Sequence, residues 1–116
     1  MAEERVVDRL DALRQRIDAL DEALVRLLSE RAECALEIGR VKKDAGLDVY
    51  QPAREVEVLA HVQHVNPGPL DDGAVRRLFE RVIDEARRLE RLAEAEDERR
   101  ASRTPLSRDA DRRGST

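Results

Sequence analysis

The chain has 116 residues, enough for one domain at most. Charged and hydrophobic residues each make up 41%, aromatics only 2%, and the formal net charge is −4 at pH 7. An acidic balance with no basic run interleaved with aromatics excludes a general nucleic-acid binder. The composition suits helices with exposed charged faces. With Tyr50 and Phe79 the only aromatics, any core is aliphatic and thin, which favours burial between subunits. The single Cys34 excludes an internal disulfide framework and fits a reducing, cytoplasmic setting. Neither a signal peptide nor an apolar run long enough to span a bilayer is present, so no membrane partner is expected.

Residues 1–7 read as a polar lead-in, with Asp8 an N-cap candidate. The first helix is predicted from Asp8 to Ala45. Leu10, Ile17, Leu24, Arg31, Ile38 and Ala45 alternate with Leu13, Leu20, Leu27, Cys34 and Val41 in steps of three and four. About 38 residues at 1.5 Å per residue give a rod of roughly 57 Å, too long for a chain of this size to wrap. It must bend back or pack against a second copy. Cys34 lies in this seam and reads as a small buried hydrophobe rather than a nucleophile. Lys42 and Lys43 complement the helix dipole at the C-terminal end, and Gly46 suits a left-handed cap.

A short connector, residues 47–51, leads to Pro52 in the first turn of a second helix with Val56, Leu59, Val62 or Ala60, and Val65 on its apolar side. Asn66-Pro67-Gly68-Pro69 breaks the chain. Asp71 or Asp72 then caps a third helix carrying Val75, Leu78, Phe79, Val82, Ile83, Ala86 and Leu89 at helical spacing. Beyond Ala95 the pattern stops. The expected organisation is a helical domain over residues 1–95 and a disordered charged tail over residues 96–116. His61 and His64 read as surface residues, and no metal-ligand spacing or phosphate loop is found.

Polar residues stand where apolar ones belong. Arg31 occupies a seam position, where an unpaired charge is costly. Lys42, eleven residues on, lies within about 20° of the same face and roughly 16 Å along the axis. If two copies pair antiparallel about a midpoint near Arg26, Arg14 of the partner subunit falls opposite about position 38. Three cations then converge, which makes a site for a small anion, with a dicarboxylate the fitting class. The plainer reading of Arg31 is a register-setting or snorkelling residue. Arg54 and Glu55 open the second helix and could close over the same spot, or form a solvated first turn. Glu90 is a carboxyl on an apolar stripe, or a helix-end surface residue.

Leu13-Arg14-Gln15-Arg16-Ile17-Asp18-Ala19-Leu20-Asp21, Leu27-Leu28-Ser29-Glu30-Arg31 and Glu37-Ile38-Gly39-Arg40-Val41-Lys42 resemble the first helix of the all-helical, AroQ-type chorismate mutases. Tyr50-Gln51-Pro52-Ala53-Arg54-Glu55 is similar to the start of their second helix. Asn66-Pro67-Gly68-Pro69-Leu70 resembles their second loop, and Leu78-Phe79 through Ile83 their third helix.

The resemblance implies an all-α, intertwined homodimer of three-helix chains. The implied reaction is the pericyclic rearrangement of chorismate to prephenate, without metal, cofactor or covalent intermediate, in aromatic amino acid synthesis. By the same resemblance, Arg31 and Arg14 of the partner subunit bind the substrate carboxylates, and Lys42 and Glu90 donate to the ether oxygen. Glu55 holds the ring hydroxyl with help from backbone near Gln51, Arg54 completes a cationic lid, and Ile38 packs on the substrate. Three positions depart from the common pattern. Gln51 stands where Asp is frequent, Ala86 where some members have Ser, and Glu90 where some have Gln. A complex with another shikimate-pathway enzyme is compatible with the tail. The rival readings are isochorismate pyruvate lyase, 4-amino-4-deoxychorismate mutase, or a silent helical dimerisation module.

Overall fold

A computed structural model describes the backbone of residues 1–114 and the side chains of residues 1–103. Three helices occur in chain order, with no strand among the described residues: α1 Ala2–Asp44, α2 Pro52–His64 and α3 Asp72–Gly114. The all-α class expected from the spacing is observed. The chain divides into two compact units, Met1–Cys34 and Ala35–Thr116.

The first unit is helical from Ala2, where α1 begins six residues before the Asp8 cap expected from the sequence. Glu3 and Glu4 in the opening turn favour the positive end of the helix dipole, and nothing in residues 2–8 breaks a helix. The aliphatic seam is exposed along this unit: Leu13, Ile17, Leu20, Leu24 and Leu27 each keep more than half of their surface accessible. Cys34, expected to be buried in that seam, is likewise exposed. A seam faces inward only where a second apolar surface covers it.

In the second unit α1 ends in a Schellman motif. The Leu47 amide donates to the Lys42 carbonyl at 2.8 Å, the Gly46 amide donates to the Lys43 carbonyl at 3.1 Å, and Gly46 has φ 70°. Glycine adopts that left-handed conformation without a Cβ penalty. Lys42 is thus fixed in the last turn of the helix rather than on a loop.

Pro52 starts α2 behind Gln51, whose φ and ψ are −130° and 90° and whose side chain makes no capping bond. Pro fits there because its missing N–H would have no partner in a first turn. The turn to α3 is held by Asn66. Its side-chain amide donates to the Leu70 carbonyl at 2.6 Å and to Asp72 Oδ1 at 3.1 Å, while its Oδ1 accepts from the Gly68 amide at 3.0 Å. Of the two capping candidates it is Asp71 that caps α3, its Oδ1 accepting the Ala74 amide at 2.7 Å.

Helices α2 and α3 pack as an antiparallel pair. At one end Gln63 donates to the Asp72 carbonyl at 3.2 Å, and at the other Arg87 pairs with Glu55. Val58, Leu59 and Val62 of α2 and Phe79, Val82, Ile83 and Ala86 of α3 are half-buried, and Val75, at 8% exposure, is the one buried hydrophobe among the described residues. The thin aliphatic core read from the composition is found.

Helix α3 runs on past Glu96, where the apolar pattern of the sequence stops. Helix α3 continues to Gly114, and Ser115 and Thr116 lie outside the described residues. Loss of the apolar pattern removes packing, but not helix propensity. Residues 96–103 are exposed, and Glu96 pairs locally with Arg99 at 3.6 Å and Arg100 at 3.5 Å. Such (i, i+3) and (i, i+4) pairs support a solvated helix.

Candidate functional site

Of the residues singled out in the sequence, the second unit brings together Lys42, Glu55 and Glu90, each half-buried. Glu90 stands on the α3 stripe that includes Phe79, Ile83 and Ala86. Its pKa is raised, foremost because burial penalises the carboxylate, while the positive charges of Lys42 and then Arg87 pull it back. The end of α1 and the middle of α3 therefore present an ammonium near a carboxyl that takes a proton more readily than an ordinary glutamate.

Glu55, in the first turn of α2, is 27% exposed and accepts an ion pair from Arg87 of α3. Arg87 also approaches Asp84 at 3.7 Å, and its guanidinium carbon lies 5.1 Å from the centroid of the Tyr50 ring. Its Nε is buried with no hydrogen-bond partner among the described residues. The planar guanidinium is thus clamped between a carboxylate and an aromatic face. Sequence reasoning passed over Arg87, because it stands beside Arg88 in a charged run. A signal was present: Arg87 follows Ile83 by four and precedes Glu90 by three, so it shares their stripe.

Arg54, expected in a cationic lid, is exposed and pairs with Glu57 at 3.2 Å on its own helix. Gln51 is exposed at the N-cap of α2, Ile38 is 55% exposed on α1, and Ala86 is half-buried on α3. Arg31 and Arg14 belong to the first unit. Arg31 is half-buried, and Arg14 is exposed with Asp11 at 4.0 Å. A shallow concavity beside Glu90 is lined by Leu36, Gly39, Arg40 and Lys43 of α1 and by Ala93, Glu94 and Asp97 of α3. It lies along the helical stripe next to the one that carries Ile38 and Lys42. His61 and His64 are exposed, and the described residues hold no cluster of three or more His, Cys, Asp or Glu suited to a metal. None of the described helices is long and apolar enough to cross a membrane.

Residues 13–91 match the family described as chorismate mutase type II. The chain is 46% identical over 88 residues to a bifunctional chorismate mutase/prephenate dehydratase of Pseudomonas aeruginosa, covering 72% of this chain and 24% of that protein. It therefore spans about a quarter of the length of such curated relatives. A 4-amino-4-deoxychorismate mutase of Streptomyces pristinaespiralis is 36% identical over 84 residues, covering 72% of this chain and 65% of that one. Among solved structures, chorismate mutase (form II) from Thermus thermophilus superposes with a TM-score of 0.69 at 41% identity, over 72% of this chain and 94% of that one. Chorismate mutase from Helicobacter pylori in complex with prephenate gives 0.68 at 32%, over 75% and 94%. The matched span runs from Leu13 within α1 through α2 to Arg91 of α3 and includes Lys42, Glu55 and Glu90, and on this agreement of sequence and fold the chain belongs to the chorismate mutase type II family.

Proposed function

We propose that the protein is a chorismate mutase, converting chorismate to prephenate as a homodimer. The observation that carries this reading is that Lys42 of α1 stands near enough to Glu90 of α3 for its charge to act on a carboxyl whose pKa burial raises, a cation beside an acid on two helices of one unit. In the rearrangement the ether C–O bond breaks as a C–C bond forms, and negative charge grows on the ether oxygen. Donors fixed in place before the reaction stabilise that charge more in the transition state than in the ground state. Lys42 supplies one donor and protonated Glu90 the other. No group has to remove a proton, so neither a metal nor a general base is needed.

Arg31 and Arg14 of the partner subunit grip the two carboxylates, because guanidinium forks hold a carboxylate by two bonds and fix the compact conformer that reacts. Glu55 accepts the ring hydroxyl, with backbone near Gln51 assisting. Ile38 and Ala86 line the ring, and Arg54 leaves Glu57 to close over the bound substrate. The exposed seam of α1 supports the dimer: more than half of each of Leu13, Ile17, Leu20, Leu24 and Leu27 is open to solvent in the single chain.

Incubation of the purified protein with chorismate should give prephenate. Pyruvate from isochorismate with no prephenate from chorismate overturns the assignment in favour of a lyase. Preferential turnover of the 4-amino analogue points to the activity named for the Streptomyces relative. Sedimentation showing only monomer at micromolar concentration removes the role of Arg14 in trans.

The segment beyond Arg91 lies outside the family match. Removal of residues 102–116 should leave the rate and melting temperature of the isolated protein nearly unchanged. A large fall in either would place the end of α3 in the catalytic fold.

A further inference from the structure

The ion pair between Arg87 and Glu55 joins the two helices at the end of the unit that holds the candidate site. Arg87 is 34% exposed and Glu55 27%, so the pair is set into the surface. Tyr50, directly before the α2 N-cap, lies under the guanidinium. Asp84 shares Arg87 from its own helix, and Glu90 feels its charge. Tyr50, Glu55 and Glu90 come from the connector, α2 and α3, so Arg87 ties together three segments around the site.

We propose that Arg87 is a positioning and specificity-determining residue: it holds the Glu55 carboxylate in place and cancels its charge, so that the site takes a substrate with a neutral hydroxyl on the ring rather than an ammonium. The proposal rests on the chorismate mutase reading, in which Glu55 faces the ring substituent. A lone carboxylate there would attract a ring ammonium as strongly as it accepts from a hydroxyl. A carboxylate already paired with Arg87 keeps a lone pair for a hydroxyl, while the guanidinium beside it repels a second cation. Discrimination then comes from a repulsive element as well as an attractive one. The 4-amino analogue of chorismate differs from chorismate at this substituent, and its ring amine is protonated near neutral pH.

The test compares kcat/KM for chorismate and for its 4-amino analogue in the wild type, Arg87→Met and Arg87→Gln. Wild type should prefer chorismate. In both variants chorismate turnover should fall, and the preference should shift toward the amino analogue by on the order of tenfold, the scale of a partly screened charge–charge interaction. A merely structural role would lower both substrates together. The single tyrosine, with no tryptophan in the chain, gives a second readout. Tyr50 emission should change in both variants and also in Glu55→Gln, which frees the guanidinium. The Arg87→Gln/Glu55→Gln double variant should be no worse on chorismate than Glu55→Gln alone, because Arg87 acts through Glu55. An unchanged substrate ratio with wild-type turnover intact, or additive losses in the double variant, overturns the proposal. A wild type that makes no prephenate overturns the functional reading instead, and unaltered Tyr50 emission in all three single variants then rejects the Arg87 contact as well.

Discussion

Lys42→Ala protein should fold normally and lose about 10²- to 10³-fold in kcat, the scale for removing one preorganised donor from a developing oxyanion. Lys42 is half-buried in the last turn of α1, where the Schellman bond uses its backbone carbonyl and not its ammonium. The helix end therefore survives the substitution, and the loss belongs to the chemistry. Arg14→Ala should be comparably impaired, through weaker binding of a carboxylate. The two lesions become informative when combined. In a heterodimer of one chain of each kind, one site has Lys42 in its own chain and Arg14 of the partner subunit, and is whole. The other site carries both lesions. Co-refolding equal amounts with random pairing makes half of the dimers mixed, so total activity should recover to about a quarter of wild type. Recovery near zero, with heterodimer confirmed by mass, would assign Arg14 to the site of its own chain and refute the intertwined arrangement.

The pH profile should fall toward alkaline pH, and Glu90 should be the cause. An ionised carboxylate cannot donate to the ether oxygen and repels the charge that grows there. Burial raises the pKa of Glu90, opposed first by Lys42 and then by Arg87. A bound dicarboxylate adds two negative charges and raises it further. Turnover should therefore be highest below the raised pKa and decline as pH passes through it. Glu90→Gln, which donates at every pH, should flatten the profile and keep much of the activity. Glu90→Ala should lose activity throughout. A wild-type profile that is flat from about pH 5 to 9 separates Glu90 from the ether oxygen.

The same group makes a prediction for stability. Because the folded state holds the proton more tightly than the unfolded chain, ionising Glu90 costs more in the fold. That penalty is absent below the ordinary glutamate range, near pH 4, and grows as pH rises to the folded value. Glu90→Gln should thus melt higher than wild type at neutral pH, with the gain vanishing in acid.

What lies along one helix was legible in the sequence. The three-and-four spacing of Leu10 through Val41, Pro52 behind the connector, Gly46 as a left-handed cap and the Asn66-Pro67-Gly68-Pro69 break suffice to place three helices in order. These signals are local: a cap or a turn is set by φ, ψ and a hydrogen bond within a few residues. The family resemblance rests on the same local runs. Where a helix starts without such a signal, the sequence misled. Glu3 and Glu4 carried α1 back to Ala2, and the Glu96 pairs carried α3 past the end of its apolar stripe.

What faces what across helices was decided only by the fold. Periodicity marks Glu55 and Arg87 as members of their helices, but not that the α2–α3 hairpin sets one against the other with Tyr50 beneath. It offers Arg54 and Glu55 equally to a ligand, whereas the fold turns Glu55 toward α3 and leaves Arg54 on the surface with Glu57. The pKa of Glu90 is likewise a tertiary property. Burial, Lys42 from α1 and Arg87 from its own helix set it together, and desolvation and Coulomb fields depend on distances through space rather than along the chain.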